Sequence, residues 1–195
     1  MASAFGHAAA ALAISNIFRL KTKLSIGIII LGVVCSILPD ADIISFAFGI
    51  PYENMWGHRG ISHSIFFAFI LAGILSYFLS KNRRQFFAIA SFLFLATISH
   101  GLLDAMTTGG KGVAFFAPFD NARYFLPWRV IQVSPIGLES FLSEWGLRVI
   151  KSEIIWIGIP AIIFVIIGAY LSKFIKSSIL EIVLAIFLIV TSLTL

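Results

Sequence analysis

Apolar blocks separated by short polar punctuation organise this chain. Six such blocks run over residues 2–18, 24–38, 62–80, 86–104, 154–171 and 179–195. A membrane-crossing helix needs about 20 apolar residues, with a usual range of about 17–25. The third to fifth blocks meet that length, and the first and sixth sit at its lower limit. The second is short unless the bilayer thins or its helix stops below the surface. The pattern predicts an all-α, polytopic helical bundle with about five to six membrane segments. The first block carries Ala8, Ala9, Ala10, Ala11 and Ala13, small residues that permit close helix packing. A more polar stretch, 140–151, alternates in helical fashion and reads as an amphipathic helix on the membrane surface. One membrane domain of residues 1–195 is expected, with a polar-site core over 1–135 and an amphipathic, two-span region over 136–195.

Composition fixes the class. The 195 residues are 59% hydrophobic and 12% charged, against about 45–50% and about 25% in soluble domains. A soluble fold could not bury that much apolar surface. A pI near 9.6 would otherwise suggest nucleic acid, but in a membrane chain basic residues are first topology determinants, and no nucleic-acid partner is expected. The single cysteine, Cys35, lies in an apolar run, which rules out an intrachain disulfide and suits inert core. No basic region precedes the first apolar block, so a removed signal peptide is not expected.

Charge distribution gives an orientation. Arg19, Lys21 and Lys23, then Lys81, Arg83 and Arg84, then Lys173 and Lys176 make three short loops holding eight of the fourteen basic residues and no acid. The positive-inside rule puts these loops in the cytoplasm. The opposite face then receives eight of the nine acids, Glu181 being the exception. It also receives every histidine. His7 is near the outer end of the first block, and Asp40 and Asp42 follow the second. His58 and His63 lead into the third, and His100 with Asp104 closes the fourth. The last two are four apart and share one helix face. The topology argument used no histidine, so their convergence on one face is independent support for a shared site.

Four imidazoles and three carboxylates form a nitrogen–oxygen ligand set that best suits zinc, with manganese or iron as alternatives. Seven candidates exceed the needs of one tetrahedral ion. Either two metals bind, or some residues orient the ligands and act as bases. His7 reads equally as a helix-packing histidine, His58 equally as a solvated loop residue, and Asp40 and Asp42 as turn formers of which at least one is a ligand. In Gly57-His58-Arg59-Gly60-Ile61-Ser62-His63-Ser64, Ser62 is a natural helix N-cap, and Arg59 beside a helix start favours an anion. The Thr107–Lys111 stretch would do likewise but is no P-loop, because Gly112 follows the Gly-Lys pair. Lys111, Arg123 and Arg129 add positive charge near the same face, or snorkel at the interface. Phe115, Phe116, Phe119, Tyr124, Phe125 and Trp128 resemble an interfacial aromatic belt.

The ordered string Gly6-His7, Leu38-Pro39-Asp40-Ala41-Asp42, Gly57 to Ser64, Ser99-His100, Leu103-Asp104, Thr107 with Gly109, and Pro118-Phe119 resembles the YdjM-like family of bacterial and archaeal membrane proteins. The resemblance covers about the first 135 residues. It implies metal-dependent hydrolase chemistry and histidines and aspartates at His7, Asp40, Asp42, His58, His63, His100 and Asp104. In motif logic alone, the set is also similar to the centres of zinc-dependent phospholipases C and related nucleases. The expected activity is cleavage of a phosphoester in a membrane lipid or lipid-linked substrate by metal-activated water, in the inner membrane, with the metal site on the non-cytoplasmic side. His63, His100, Asp104 and one of Asp40 and Asp42 would hold the ion. Asp42 or His58 would act as base, and Arg59 would meet the developing charge. The alternatives are a metal transporter and a purely structural membrane protein. A histidine-nucleophile lipid phosphatase is disfavoured, since neither a Lys-to-Arg-Pro motif nor Ser-Gly-His is present.

Overall fold

A computed structural model describes residues 1–22, 24–135 and 137–174. The sixth apolar block, 179–195, lies outside the described residues. Among the described residues seven α-helices are present: α1 (Ala4–Thr22), α2 (Ile26–Ile37), α3 (Ile65–Leu79), α4 (Arg83–Ala105), α5 (Leu138–Phe141), α6 (Glu144–Glu153) and α7 (Ile159–Phe174). Among the described residues no extended strand forms; Thr107 with Ile131 and Val113 with Tyr124 make isolated backbone bridges.

Helix starts follow capping chemistry, in which a side-chain oxygen accepts from an otherwise orphaned N–H. Ser25 accepts from Ile28, Ser64 from Phe67, Asn82 from Gln85 and Ser143 from Trp145. Ser64 therefore caps α3, rather than Ser62. Residues Ile61–His63 form a separate 3-10 turn ahead of it.

Span lengths differ from the apolar blocks in an instructive way. Among the described residues three helices, fewer than the five to six segments expected, are long and apolar enough to cross a membrane: Ile26–Phe48, Arg83–Ala105 and Glu144–Tyr170. The second block becomes long because Leu38–Phe48 continues α2 as a 3-10 helix, with Pro39 in its first turn, where a missing N–H costs nothing. The third block becomes short, because its first residues turn away and only the 15 residues of α3 are α-helical. The amphipathic stretch and the fifth block merge. α6 passes through a π-helical turn, Ile154–Gly158, directly into α7.

Helices α1, α2 and α4 pack on one another, α3 lies on α4, and α7 lies on α1. Their shared core is Ala11, Cys35, Ala72, Ile89, Phe92, Leu93 and Ala96. Small residues allow this closeness, as expected where packing rather than water exclusion holds membrane helices together. Gly32 is a tight point of this core, since a Cβ there would sit 2.3 Å from the Phe92 ring. Cys35 is buried in this core and unpaired, as its apolar setting predicted. Residues 106–135 fold back over the bundle end. Leu126 N–H donates to Ala105 O (2.9 Å), Ala114 N–H to Arg59 O (3.0 Å) and Ile65 N–H to Phe115 O (3.0 Å).

Replacing Gly32 with Ala should overpack the α2–α4 contact and destabilise the bundle by about 1–3 kcal/mol. Thermal unfolding in detergent checks it, and Phe92→Leu in the same chain should recover most of the loss. An unchanged Tm for the single variant would refute this packing.

Candidate metal centre

Four separate elements deliver the polar residues to one end of the bundle. α1 carries His7, and the 3-10 continuation of α2 carries Asp40 and Asp42. The connection before α3 supplies His58, Arg59 and His63, and the last turns of α4 supply His100 and Asp104. Alternating helix direction brings the start of α1, the end of α2, the start of α3 and the end of α4 together. All eight predicted residues are drawn into one cluster.

At its centre are His63, His100, Asp40 and Asp104, each offering one ligand atom, all within 4.8 Å of one another. His63 Nε2 lies 3.0 Å from His100 Nε2, 3.7 Å from Asp40 Oδ1 and 3.6 Å from Asp104 Oδ2. His100 Nε2 lies 3.3 Å from Asp40 Oδ1 and 4.0 Å from Asp104 Oδ2. Four ligands about 2.0–2.1 Å from a tetrahedral zinc stand about 3.3–3.4 Å apart. The five spacings straddle that value.

Proton bookkeeping points the same way. His100 Nδ1 is 2.7 Å from Ser36 O, so it must donate there. His63 Nδ1 donates to Ser62 Oγ (3.0 Å), whose own proton goes to Asp42 Oδ2 (2.6 Å). In the neutral, metal-binding form each ring presents an Nε2 lone pair inward, the two nitrogens 3.0 Å apart. Asp40 Oδ1 and Asp104 Oδ2 have no hydrogen-bond partner. Two imidazole lone pairs and two orphaned carboxylate oxygens are a donor set that fits a divalent cation.

Asp42 does different work. Its Oδ1 faces His58 Nδ1 at 2.6 Å, and its Oδ2 accepts from Ser62 Oγ (2.6 Å) and Arg59 N–H (3.0 Å), with Ser62 Oγ in turn holding His63 Nδ1 at 3.0 Å. With three residues per 3-10 turn, positions two apart point about 120° from each other. Asp40 therefore enters the centre while Asp42 braces its outer wall. Carboxylates that orient a ligating imidazole in this way fix its tautomer and raise its basicity.

Arg59, expected against a substrate, is instead wholly buried and committed to the protein. Nε is 2.9 Å from Asp104 Oδ2, although out of hydrogen-bond alignment, while its terminal nitrogens donate to Thr107 Oγ1 (3.1 Å) and Gly109 O (3.2 Å). Its backbone φ is +62°, a left-handed conformation that costs a non-glycine residue of order 1 kcal/mol or more. The Asp42 and Ala114 hydrogen bonds hold it there. Gly101 lets α4 approach this loop, since a Cβ would stand 2.9 Å from His63 O.

The outer cations are also spoken for. Lys111 pairs with Glu53, a hydrogen bond that holds the Glu53 carboxyl below its ordinary value. Arg123 donates to the carbonyls of His58, Tyr52 and Asn54. Arg129 donates to Thr107 O and stacks 3.7 Å over Phe125. Exposure within the cluster is confined to the side chains of Asp40 (8%), Asp42 (9%) and His58 (3%).

Several contributors escaped the sequence reading. Ser36 acts through its carbonyl, which no side-chain pattern reveals. Glu153 is buried as the last residue of α6, just before the π-helical turn, and accepts from Ser3 N–H and Ser3 Oγ, tying the start of α1 to α6. A lone acid at the threshold of an apolar block was its only signal.

The family model described as YdjM inner membrane protein matches residues 1–190. The chain belongs to this family. It is also similar to the inner membrane protein YbcI of Escherichia coli (strain K12), 42% identical over 134 residues, which covers 68% of this chain and 77% of that protein. No solved structure matches. The YdjM match extends beyond the motif-bearing first 135 residues into α6 and α7, so the Glu153 tie lies within the family region.

If Asp42 orients His63, then Asp42→Ala should weaken metal affinity by roughly 10–100-fold with all four inner ligands intact. Chelator competition on the purified protein measures it. Wild-type affinity in this variant would show the brace to be incidental.

Proposed function

We propose that this chain is a metal-dependent phosphoester hydrolase acting on a lipid or lipid-linked substrate. The observation that carries the proposal is the pair of inward imidazole lone pairs facing two orphaned carboxylate oxygens, with the Asp42–His58 pair on the open side. His63, His100, Asp40 and Asp104 hold the ion. Zinc suits two nitrogens and two oxygens, with manganese or iron as alternatives. A divalent ion bound there supplies Lewis-acid polarisation of a phosphoryl oxygen and acidifies water.

The chain's own residues do the rest. His58 donates from Nδ1 to Asp42, which leaves Nε2 as the basic nitrogen that takes a proton from water. Arg59 holds Asp104 in position, its Nε 2.9 Å from Oδ2. The lipid assignment rests on the rim: Ile44, Phe46, Phe48 and Trp56 are exposed beside the segments that carry Asp40, Asp42 and His58. An acyl chain suits such surroundings better than a soluble phosphate ester does. The basic loop at Lys81, Arg83 and Arg84 lies at the opposite end of the bundle, which supports a non-cytoplasmic site.

A transport role has less support. Between the site and the opposite end, the core residues are Ala11, Cys35, Ala72, Ile89, Phe92, Leu93 and Ala96. Among the described residues no charged side chain is buried along that path.

Elemental analysis and phospholipid hydrolysis, run on the detergent-purified protein and its His100→Ala variant, test the proposal. The wild type should carry zinc or manganese and release a phosphorylated or diacyl product. His100→Ala should lose both metal and turnover while still inserting. Chelation should abolish turnover and added metal should restore it. A fully loaded protein inert on every phospholipid class, or a His100→Ala protein with its full metal load, would sink the assignment.

A further inference from the structure

The four inner ligands leave His7 without a task. It is completely buried, and neither of its ring nitrogens has a hydrogen-bond partner. Its Nε2 is 3.6 Å from Asp104 Oδ1 and 3.9 Å from Asp40 Oδ2. These are the carboxylate oxygens that the inner centre does not use. Both separations are too long for hydrogen bonds, yet they resemble the spacing of ligands around a shared cation. The His7 ring lies stacked on that of His100, with centroids 3.7 Å apart and planes 14° from parallel. Both rings turn Nε2 toward the same two aspartates.

We propose that His7, Asp40 Oδ2 and Asp104 Oδ1 form a second divalent-cation position, so that Asp40 and Asp104 bridge two ions. The proposal rests on the metal-centre reading above and extends it. Two-metal phosphoesterase sites hold their ions about 3.5–4 Å apart, and the 3.7 Å stacking of the two imidazoles matches that separation. A bridging carboxylate presents one oxygen to each ion, which is how both aspartates are turned here. Asp104 Oδ1 accepts from Ala2 N–H at 2.7 Å as well, which fixes its direction. The competing account makes His7 a protonated counter-ion to the two carboxylates. It predicts a close charge-assisted contact of about 2.7–2.9 Å, where the observed approaches are 3.6 and 3.9 Å.

The test strips the full-length protein with chelator and reloads it with manganese(II) alone. Bound metal per chain and the electron paramagnetic resonance spectrum are the readouts. The wild type should hold about two ions with an exchange-coupled spectrum. His7→Ala should hold about one, with the spectrum of an isolated ion. His7→Gln, which keeps the volume and removes the imidazole, repeats the measurement where Ala loosens the fold. A wild type that saturates with one ion overturns the second position, as does a His7 variant with an unchanged load and a coupled spectrum. The outcomes separate from those of the hydrolase reading. Two bound ions without phospholipid turnover would remove the activity and keep the site, whereas one ion with turnover would do the reverse.

Discussion

Two carboxylates buried side by side at the end of a helical bundle are the constraint on which this structure depends. Asp104 is wholly buried and Asp40 nearly so. Each ion withdrawn from water costs several kcal/mol unless it is closely paired. Together they also repel, so the surrounding chain has to supply cationic and donating groups at short range. Arg59 is placed for that purpose, and its requirements propagate outward. Its left-handed backbone needs Asp42 and Ala114 to hold it, and its terminal nitrogens need Thr107 and Gly109. The 106–135 loop is thereby pinned across the bundle end. Ala2 N–H adds a donor on Asp104 Oδ1 at 2.7 Å, and His63 and His100 bring their Nε2 atoms to the same two carboxylates. The cluster that results could hold a metal ion.

The helices below the site are built to permit that geometry. Alanine and glycine at the crossings of α1, α2 and α4 bring the backbones close enough for His7, Asp40 and His100 to meet. Bulkier residues at Gly32 or Gly101 would push the ligand-bearing turns apart by tenths of an ångström. That is enough to disturb a metal site of the kind this cluster could form, whose bonds vary by about 0.2 Å. Packing and chemistry are coupled through these contacts, although Gly32 touches no ligand.

Much of the site was legible because it depends on alternation. Helices that cross back and forth return every second connection to the same face, so His7, Asp40, Asp42, His58, His63, His100 and Asp104 could be assembled from spacing and charge bias alone. The i, i+4 relation of His100 and Asp104 survives directly on α4. What stayed hidden depends on local backbone state. Asp40 and Asp42 diverge in role because Leu38–Phe48 is 3-10, and the apolar pattern there does not distinguish 3-10 from α. Ser64 displaces Ser62 as the cap because Ile61–His63 turns separately, which frees the Ser62 hydroxyl for Asp42. Arg59 faces inward because its φ is positive, a conformation that its residue type disfavours. Block length misjudged the spans for the same reason, lengthening the second and shortening the third.

Division of labour between the two aspartates explains why a motif as short as Pro39-Asp40-Ala41-Asp42 suffices. A ligand needs a carboxylate with unspent oxygens, and a brace needs one that is saturated. Asp42 has three donors against it, and Asp40 Oδ1 has none from the protein. The same side chain cannot fill both roles, and a single turn of 3-10 helix separates them by angle alone. His63 joins the two, with Nδ1 on the braced carboxylate and Nε2 in the centre. His58, Asp42, Ser62 and His63 form one hydrogen-bonded chain that ends at the cluster, with no moving part. On the hydrolytic reading proposed above, such a chain ties the base to the inner ligands. In a transport path, the same rigid coupling would hold the ion in place.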